Sequence, residues 1–237
     1  MSVFGSRVRM VPYLAAIARK AFGRFPRQCN LCGYQGSFHA FGSPPRFDAR
    51  CPSCGSVERH RLFGLWLGEN EARLAGKEVL HFAPESIIQK IVRPLPRSYM
   101  AADLNPNVAD IVLNIEEIEL PDESVDVVIC SHVLEHVDHK KSLRNLRRIL
   151  RSDGLLLLMF PIVEGWTETY SNPDVVSSQD RELHFGQWDH VQYFGRQVRC
   201  DIIEAGFRLT EFTAIEPDVS RYGLMRGEKV FIAECSE

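Results

Sequence analysis

The stretch Leu120-Pro-Asp-Glu-Ser-Val-Asp-Val-Val-Ile-Cys-Ser-His-Val-Leu-Glu-His-Val137, followed by Leu146-Arg-Arg-Ile-Leu-Arg-Ser-Asp-Gly154, decides the fold. Val127-Val128-Ile129 is a near-continuous apolar run, and so is Leu155-Leu156-Leu157-Leu158 just beyond it. Runs of this kind belong to strands covered on both faces, and therefore to a parallel sheet. Between them, His139–Arg151 carries helical spacing, which makes a strand–helix–strand unit.

The same alternation extends outward. Candidate strands are Glu78–Ala83, Tyr99–Leu104, Ile111–Ile115, Val125–Cys130 and Leu155–Phe160, with helices at Ser86–Val92, His139–Arg151 and Gly195–Ala205. Phe207–Thr213 and Lys229–Cys235 read as two more strands with no helix between them, an antiparallel closing pair. The expected class is α/β: a Rossmann-like, seven-stranded, mostly parallel sheet with helices on both faces, preceded by an N-terminal zinc ribbon. The expected pieces are a basic amphipathic helix over 1–27, the ribbon over 28–57, a connecting helix over 58–76 and the main domain over 77–237.

The ribbon rests on Cys29-Asn-Leu-Cys32 and Cys51-Pro-Ser-Cys54, with residues 33–50 between the pairs. Each pair places two thiolates on one tight turn. Two such turns supply a closed tetrahedron suited to a structural Zn²⁺. Gly33 and Gly55 follow the pairs, as knuckle geometry requires. The alternatives are four unligated thiols or two disulfides.

Seven cysteines is an odd count, and Cys130, Cys200 and Cys235 have no obvious pairing, so a reducing, cytoplasmic setting is expected. No apolar run is long enough to span a membrane. The net charge of −3 points to no particular partner, but its distribution is uneven: no acidic residue precedes Asp48. From Pro12 to Phe25 the pattern fits a basic amphipathic helix, which suits an anionic membrane surface, nucleic acid, or plain docking on its own domain.

In open α/β sheets, ligands bind beyond the carboxyl ends of the strands. The second strand ends on Asp103, where an acid can accept hydrogen bonds from ribose hydroxyls. The fourth ends in Ser131-His132-Val133-Leu134-Glu135-His136.

The Leu-Glu-His-Val element and the Leu-x-x-Asp-Gly element resemble the type 11 group of class I S-adenosylmethionine (AdoMet) methyltransferases. The resemblance covers about residues 77–237. With the ribbon, the His-Phe-Ala-Pro-Glu loop at 81–85 and Phe-Gly-Gln-Trp-Asp-His-Val at 185–191, the chain is similar to a zinc-ribbon-containing bacterial subset. The resemblance implies AdoMet as cofactor, with Asp103 on its ribose and Asn114 and Ile115 at its adenine. It also implies that Phe82, Ala83, Pro84 and Glu85 wrap the methionine end, and that Ser131, His132 and Val133 line the cleft. Ala83-Pro84-Glu85 stands where the family has Gly-x-Gly, so the loop is expected to take another path, with Glu85 pairing with the cofactor's ammonium. Asn114 stands where an acid is common.

Methyl transfer needs a base only when the acceptor must lose a proton, and His132 and His190 are the candidate bases. Glu135 and His136 are read as structural. The long segment 164–194 is expected to be a lid, with Trp188, His190 and Tyr193 facing the acceptor. The expected function is methylation of an O or N atom on a small molecule or glycan-type intermediate. RNA methylation and a non-catalytic ribbon module on a degenerate scaffold are the alternatives.

Overall fold

The structure, a computed structural model, describes residues 14–18, 23 and 25–236. Residues 14–18 are helical; of the rest of the expected basic helix, Gly23 and Phe25 are not helical, Pro26 and Arg27 lie in a strand because the chain there pairs with Gly36 and Ser37, and the others lie outside the described residues. The chain divides into two compact units: 1–69 with 213–228, and 70–212 with 229–237.

The first unit carries β1 (Pro26–Gln28), β2 (Gln35–Ser37), β3 (His39–Phe41), β4 (Arg46–Arg50) and α1 (Glu58–Asn70), whose last residue passes into the second unit. β1 pairs antiparallel with β2, and β3 with β4. These short hairpins bury little apolar surface, so side chains carry much of the cohesion. Arg61 of α1 is fully buried over the Phe38 ring, 4.6 Å from its centroid. Its guanidinium donates to the carbonyls of Ser56 (2.7 Å), Ala49 (2.8 Å), Gly223 (2.9 Å) and Tyr222 (2.6 Å). Five donors in a rigid fork suit such a carbonyl cluster. Through these bonds the 213–228 insertion joins the ribbon unit. The sequence reading placed no helix in that insertion and assigned it to the main domain; it holds one short helix, Asp218–Tyr222.

The second unit contains β5 (Glu78–Phe82), α2 (Ser86–Val92), β6 (Ser98–Asp103), β7 (Ile111–Val112), β8 (Val125–Ser131), α3 (His139–Ile149) and β9 (Leu150–Met159). After them come β10 (Tyr170–Ser171), α4 (Ser178–Phe185), β11 (Gln192–Tyr193), α5 (Val198–Glu204), β12 (Phe207–Phe212) and β13 (Val230–Cys235). The main sheet has seven strands in the order β12-β13-β9-β8-β5-β6-β7. β13 runs antiparallel to both β9 and β12, and the pairs among β5 to β9 are parallel. Because the order reverses between β5 and β8, right-handed crossovers put α2 and α3 on opposite faces.

Local chemistry explains the elements. Asp138 caps α3 by accepting from the Lys141 amide at 3.0 Å, and Arg147 and Arg148 sit in its last turn. Leu143, Leu146 and Ile149 recur at helical spacing and are fully buried. β9 begins at Leu150, earlier than the sequence suggests. The Arg151–Gly154 segment is absorbed as an irregularity in the ladder, where Val125 faces Leu150 but Val127 already faces Leu155. Phe160 stacks on Phe231 at 4.6 Å and meets Phe194 at 4.7 Å, closing the core on one side of the sheet. Among the described residues no helix is long and apolar enough to cross a membrane.

Candidate active site and metal centre

A cleft opens beyond the carboxyl ends of β5, β6 and β8, at the point where strand order reverses. It is lined by Phe82 and Ala83 at the end of β5, Asp103 at the end of β6, Leu113 to Ile115 after β7, and His132, Val133, His136 and Val137 after β8. Of the expected site residues, Phe82, Ala83, Asp103, Asn114, Ile115, His132 and Val133 thus come together. Pro84, Glu85 and Ser131 are not part of the lining, and Ser131 is buried at the end of its strand.

Two of the lining residues hold the left-handed conformation: Ala83 at φ +44° and His132 at φ +56°. An L residue there is strained, and such strain collects at binding sites. Ala83 supplies without glycine the positive φ that glycine would give freely. Its amide still donates to the Ala102 carbonyl (2.8 Å), which fixes the loop on β6. The His132 amide likewise donates to the Met159 carbonyl at 2.7 Å.

Asp103 Oδ1 accepts the Asn105 amide at 2.8 Å, which leaves its second oxygen available to hydroxyls of a ligand. Asn114 Oδ1 accepts the Glu116 amide at 3.0 Å, so the Asn114 side chain braces its own turn.

At the other end of the cleft, His132 Nδ1 lies 3.0 Å from Oε1 of the buried Glu135. His136 Nδ1 approaches the Asp189 carbonyl (3.3 Å) and its Oδ2 (3.4 Å). The His136 and His190 rings meet edge-on at 4.7 Å, and His190 Nδ1 is 3.1 Å from the Phe185 carbonyl. Burial, with nearby His136 adding to it, holds His190 below the usual imidazole range against the opposing pull of Glu135.

The 164–194 segment holds regular structure. β10 pairs with β11, Ser177 caps α4 through the Asp180 amide, and Trp166, Tyr170, His184, Phe185 and Tyr193 cluster together. The residue this segment presents to the cleft is Asp189. Trp188 is 61% exposed, His190 is buried behind His136, and Tyr193 packs against Trp166. The expectation that these three side chains face the acceptor is corrected accordingly. Sequence reasoning assigned none of Ala102, Leu104, Leu113, His136, Val137 and Asp189 to the cleft. The i, i+3 spacing of His132 and Glu135 was the available signal for a paired site.

In the ribbon, Cys29 Sγ lies 3.7 Å from Cys54 Sγ, and Cys32 Sγ 3.8 Å from Cys51 Sγ. One sulfur from each of the four lies within 4.8 Å of the others. A tetrahedron with arms of about 2.3 Å has edges of about 3.8 Å, whereas a disulfide bond is about 2.05 Å. The four thiols therefore fit a tetrahedral ion. The two turns match: Gly33 N donates to Cys29 O and Gly55 N to Cys51 O, both at 2.9 Å, with φ of +76° and +78°. Ser56 Oγ sits 3.3 Å from Cys29 Sγ and 3.2 Å from Cys54 Sγ. Burial pushes the Cys51 thiol up to about 12, while at Cys54 burial is outweighed by hydrogen bonds, those with Ser56 foremost, which bring it down to about 7. A bound cation would displace the thiol protons.

Residues 89–158 match the model of a methyltransferase domain family. Over 57 residues the chain is 42% identical to a Mycobacterium tuberculosis protein named as an S-adenosylmethionine-dependent methyltransferase, covering 24% of this chain and 21% of that protein. Over 49 residues it is 41% identical to an uncharacterised Methanocaldococcus jannaschii protein, covering 21% and 22%. The matched stretch thus spans about a fifth of these relatives' length. Among solved structures, a chain of the Haloferax volcanii complex between the Trm112 methyltransferase activator and a methyltransferase aligns over 76% of this chain and 91% of its own. Its TM-score is 0.55 at 14% identity. An S-adenosylmethionine-dependent methyltransferase from Mesorhizobium loti aligns over 73% and 97%, at TM-score 0.53 and 13% identity. At these identities the likeness is one of fold. Residues 89–158 are thus similar to a methyltransferase domain, and the fold around them is shared with methyltransferases. The matched segment contains β6 to β8 and most of β9, and so includes Asp103, Asn114, Ile115, His132 and Val133 of the cleft but not Phe82 and Ala83.

Proposed function

We propose that the chain is an AdoMet-dependent methyltransferase acting on an O or N atom of a small molecule or glycan-type intermediate. The observation that carries the proposal is the cleft at the reversal of strand order, with Asp103 at the end of β6 and inside the family-matched segment. The residues present fit the cofactor. Asp103 offers a carboxylate to ribose hydroxyls. Leu113, Asn114 and Ile115 offer an edge to the adenine, and Phe82 and Ala83 offer a wall to the methionine end. Bound there, AdoMet supplies a methyl group on a sulfonium.

The chain's contribution is chiefly positioning, because an in-line displacement gains most from held geometry. His132 is the proposed base in preference to His190, because His132 lines the cleft whereas His190 lies behind His136. With Nδ1 on the Glu135 carboxylate, His132 keeps Nε2 as the nitrogen that takes the acceptor's proton. Val133 and Val137 shield the site with apolar surface. Cys29, Cys32, Cys51 and Cys54 are the proposed ligands of a structural Zn²⁺ that folds the ribbon. The non-catalytic alternative gains no support from the loop after β5, since Ala83 holds positive φ without glycine.

The test is release of S-adenosylhomocysteine by the full chain against a panel of hydroxyl and amine acceptors, including nucleotide-sugar and RNA fractions. Turnover with a small acceptor supports the proposal. Turnover with RNA alone moves the substrate class to nucleic acid, and no turnover with any acceptor counts for the non-catalytic alternative.

A further inference from the structure

Beside the cleft, one donor atom each from Glu135, His136 and His190 lies within 4.8 Å of the other two. Glu135 is 2% exposed through its side chain, and its Oε1 takes His132. Its Oε2 is buried and has no hydrogen-bond partner. A buried carboxylate oxygen left bare costs free energy that a cation would recover.

The two imidazoles are held in a matching way. His190 Nδ1 faces the Phe185 carbonyl, and His136 Nδ1 faces the carbonyl and carboxylate of Asp189. Each Nδ1 therefore acts as the donor nitrogen, and each Nε2 keeps its lone pair. Metal-ligating histidines are oriented by this second hydrogen bond to a carbonyl or carboxylate. Two neutral imidazoles and one carboxylate form a donor set for a divalent transition-series cation, with further positions open to water or substrate.

We propose that Glu135, His136 and His190 bind a single divalent cation of the Zn²⁺ or Fe²⁺ class next to the cleft, separate from the four-cysteine centre. His136 lines the cleft, so an open coordination position there is placed to hold an oxygen of the acceptor. The site rests on side-chain geometry and stands whether or not the cleft takes AdoMet.

The experiment is metal counting by plasma mass spectrometry on the full chain, stripped with chelator, refilled with Zn²⁺ and desalted. Wild type is compared with Glu135→Gln, His190→Gln and Cys32→Ser, and AdoMet binding is titrated on the same samples. The expected result is one equivalent less zinc in Glu135→Gln and in His190→Gln than in wild type, with AdoMet affinity within about twofold. Cys32→Ser should lose the other equivalent. Should Glu135→Gln fail to fold, His190→Gln carries the comparison alone. An unchanged zinc count in His190→Gln would overturn the site. Absence of AdoMet binding in wild type would instead fall on the methyltransferase proposal and leave the zinc count intact.

Discussion

His132 Nδ1 and Glu135 Oε1 lie 3.0 Å apart, joining a partly buried imidazole on the cleft to a carboxylate that is almost wholly buried. The pair is made by one turn of 3₁₀ helix over Leu134–His136, which folds the carboxylate back under the histidine. A base oriented in this way has one ring nitrogen fixed and the other aimed by the strand end. Replacing His132 by Ala should lower turnover by about 10²–10⁴-fold where the acceptor must lose a proton. AdoMet affinity should stay nearly unchanged. Equal turnover in steady-state assays of both proteins would remove His132 from the chemistry.

The left-handed Ala83 gives a second expectation. Ala83→Gly should keep stability within about 1 kcal/mol of wild type, because relief of strain and added chain entropy oppose each other. Ala83→Val should lose about 1–2 kcal/mol or more, since a β-branched residue tolerates positive φ poorly. It should weaken AdoMet binding as well. Urea unfolding with ligand titration checks both, and a Val variant as stable as wild type would refute the strained-loop assignment.

His81 predicts a pH dependence. It is fully buried on β5, with Nδ1 2.8 Å from the Tyr99 hydroxyl and Nε2 unpartnered. Burial drives its pKa down to about 3. The folded protein thus holds it neutral, while the unfolded chain takes up a proton below about 6.5. Stability is complete above that value and falls as pH drops toward 3, at about 1.4 kcal/mol per unit. From pH 6.5 to 5 the expected loss is about 2 kcal/mol. In His81→Leu this part of the slope should vanish, whatever the absolute stability. An unaltered slope in denaturation at stepped pH would contradict the assignment.

Arg61 holds the ribbon unit. Arg61→Met keeps most of the side-chain volume but removes the donor that the carbonyls of Ala49, Tyr222 and Gly223 share, and leaves Ser56 with the Cys51 amide alone. At about 1–3 kcal/mol for each orphaned group, the loss should exceed about 3 kcal/mol. Faster release of zinc to a chelator should accompany it. Unchanged chelation kinetics would show that the guanidinium is dispensable.

Much of the sheet was legible because its signal is local. Apolar runs at Val127–Ile129 and Leu155–Leu158 mark buried strands wherever they occur, and Ser86–Val92 was recovered with its bounds intact. The cysteine turns were legible because tetrahedral ligation fixes their spacing. What escaped depends on contacts between distant residues. Nothing near Thr213–Glu228 announces that Tyr222 and Gly223 accept from Arg61. The irregular start of β9 shows only in its pairing with β8, where Leu150 to Leu155 on β9 spans the same step as Val125 to Val127 on β8. In the site, Asp189 and His190 reach His136 across more than fifty positions of sequence, so their roles could not be separated from those of Trp188 and Tyr193 by inspection.

The most direct measurement is isothermal titration of AdoMet into the full chain and into Asp103→Ala. Methyltransferase chemistry at this cleft requires one binding site per chain in wild type. Losing one charged acceptor should cost about 1.5–3 kcal/mol, so the variant should bind about ten- to a hundredfold more weakly. No heat of binding in wild type, or equal affinity in Asp103→Ala, would contradict the assignment of this cleft to AdoMet.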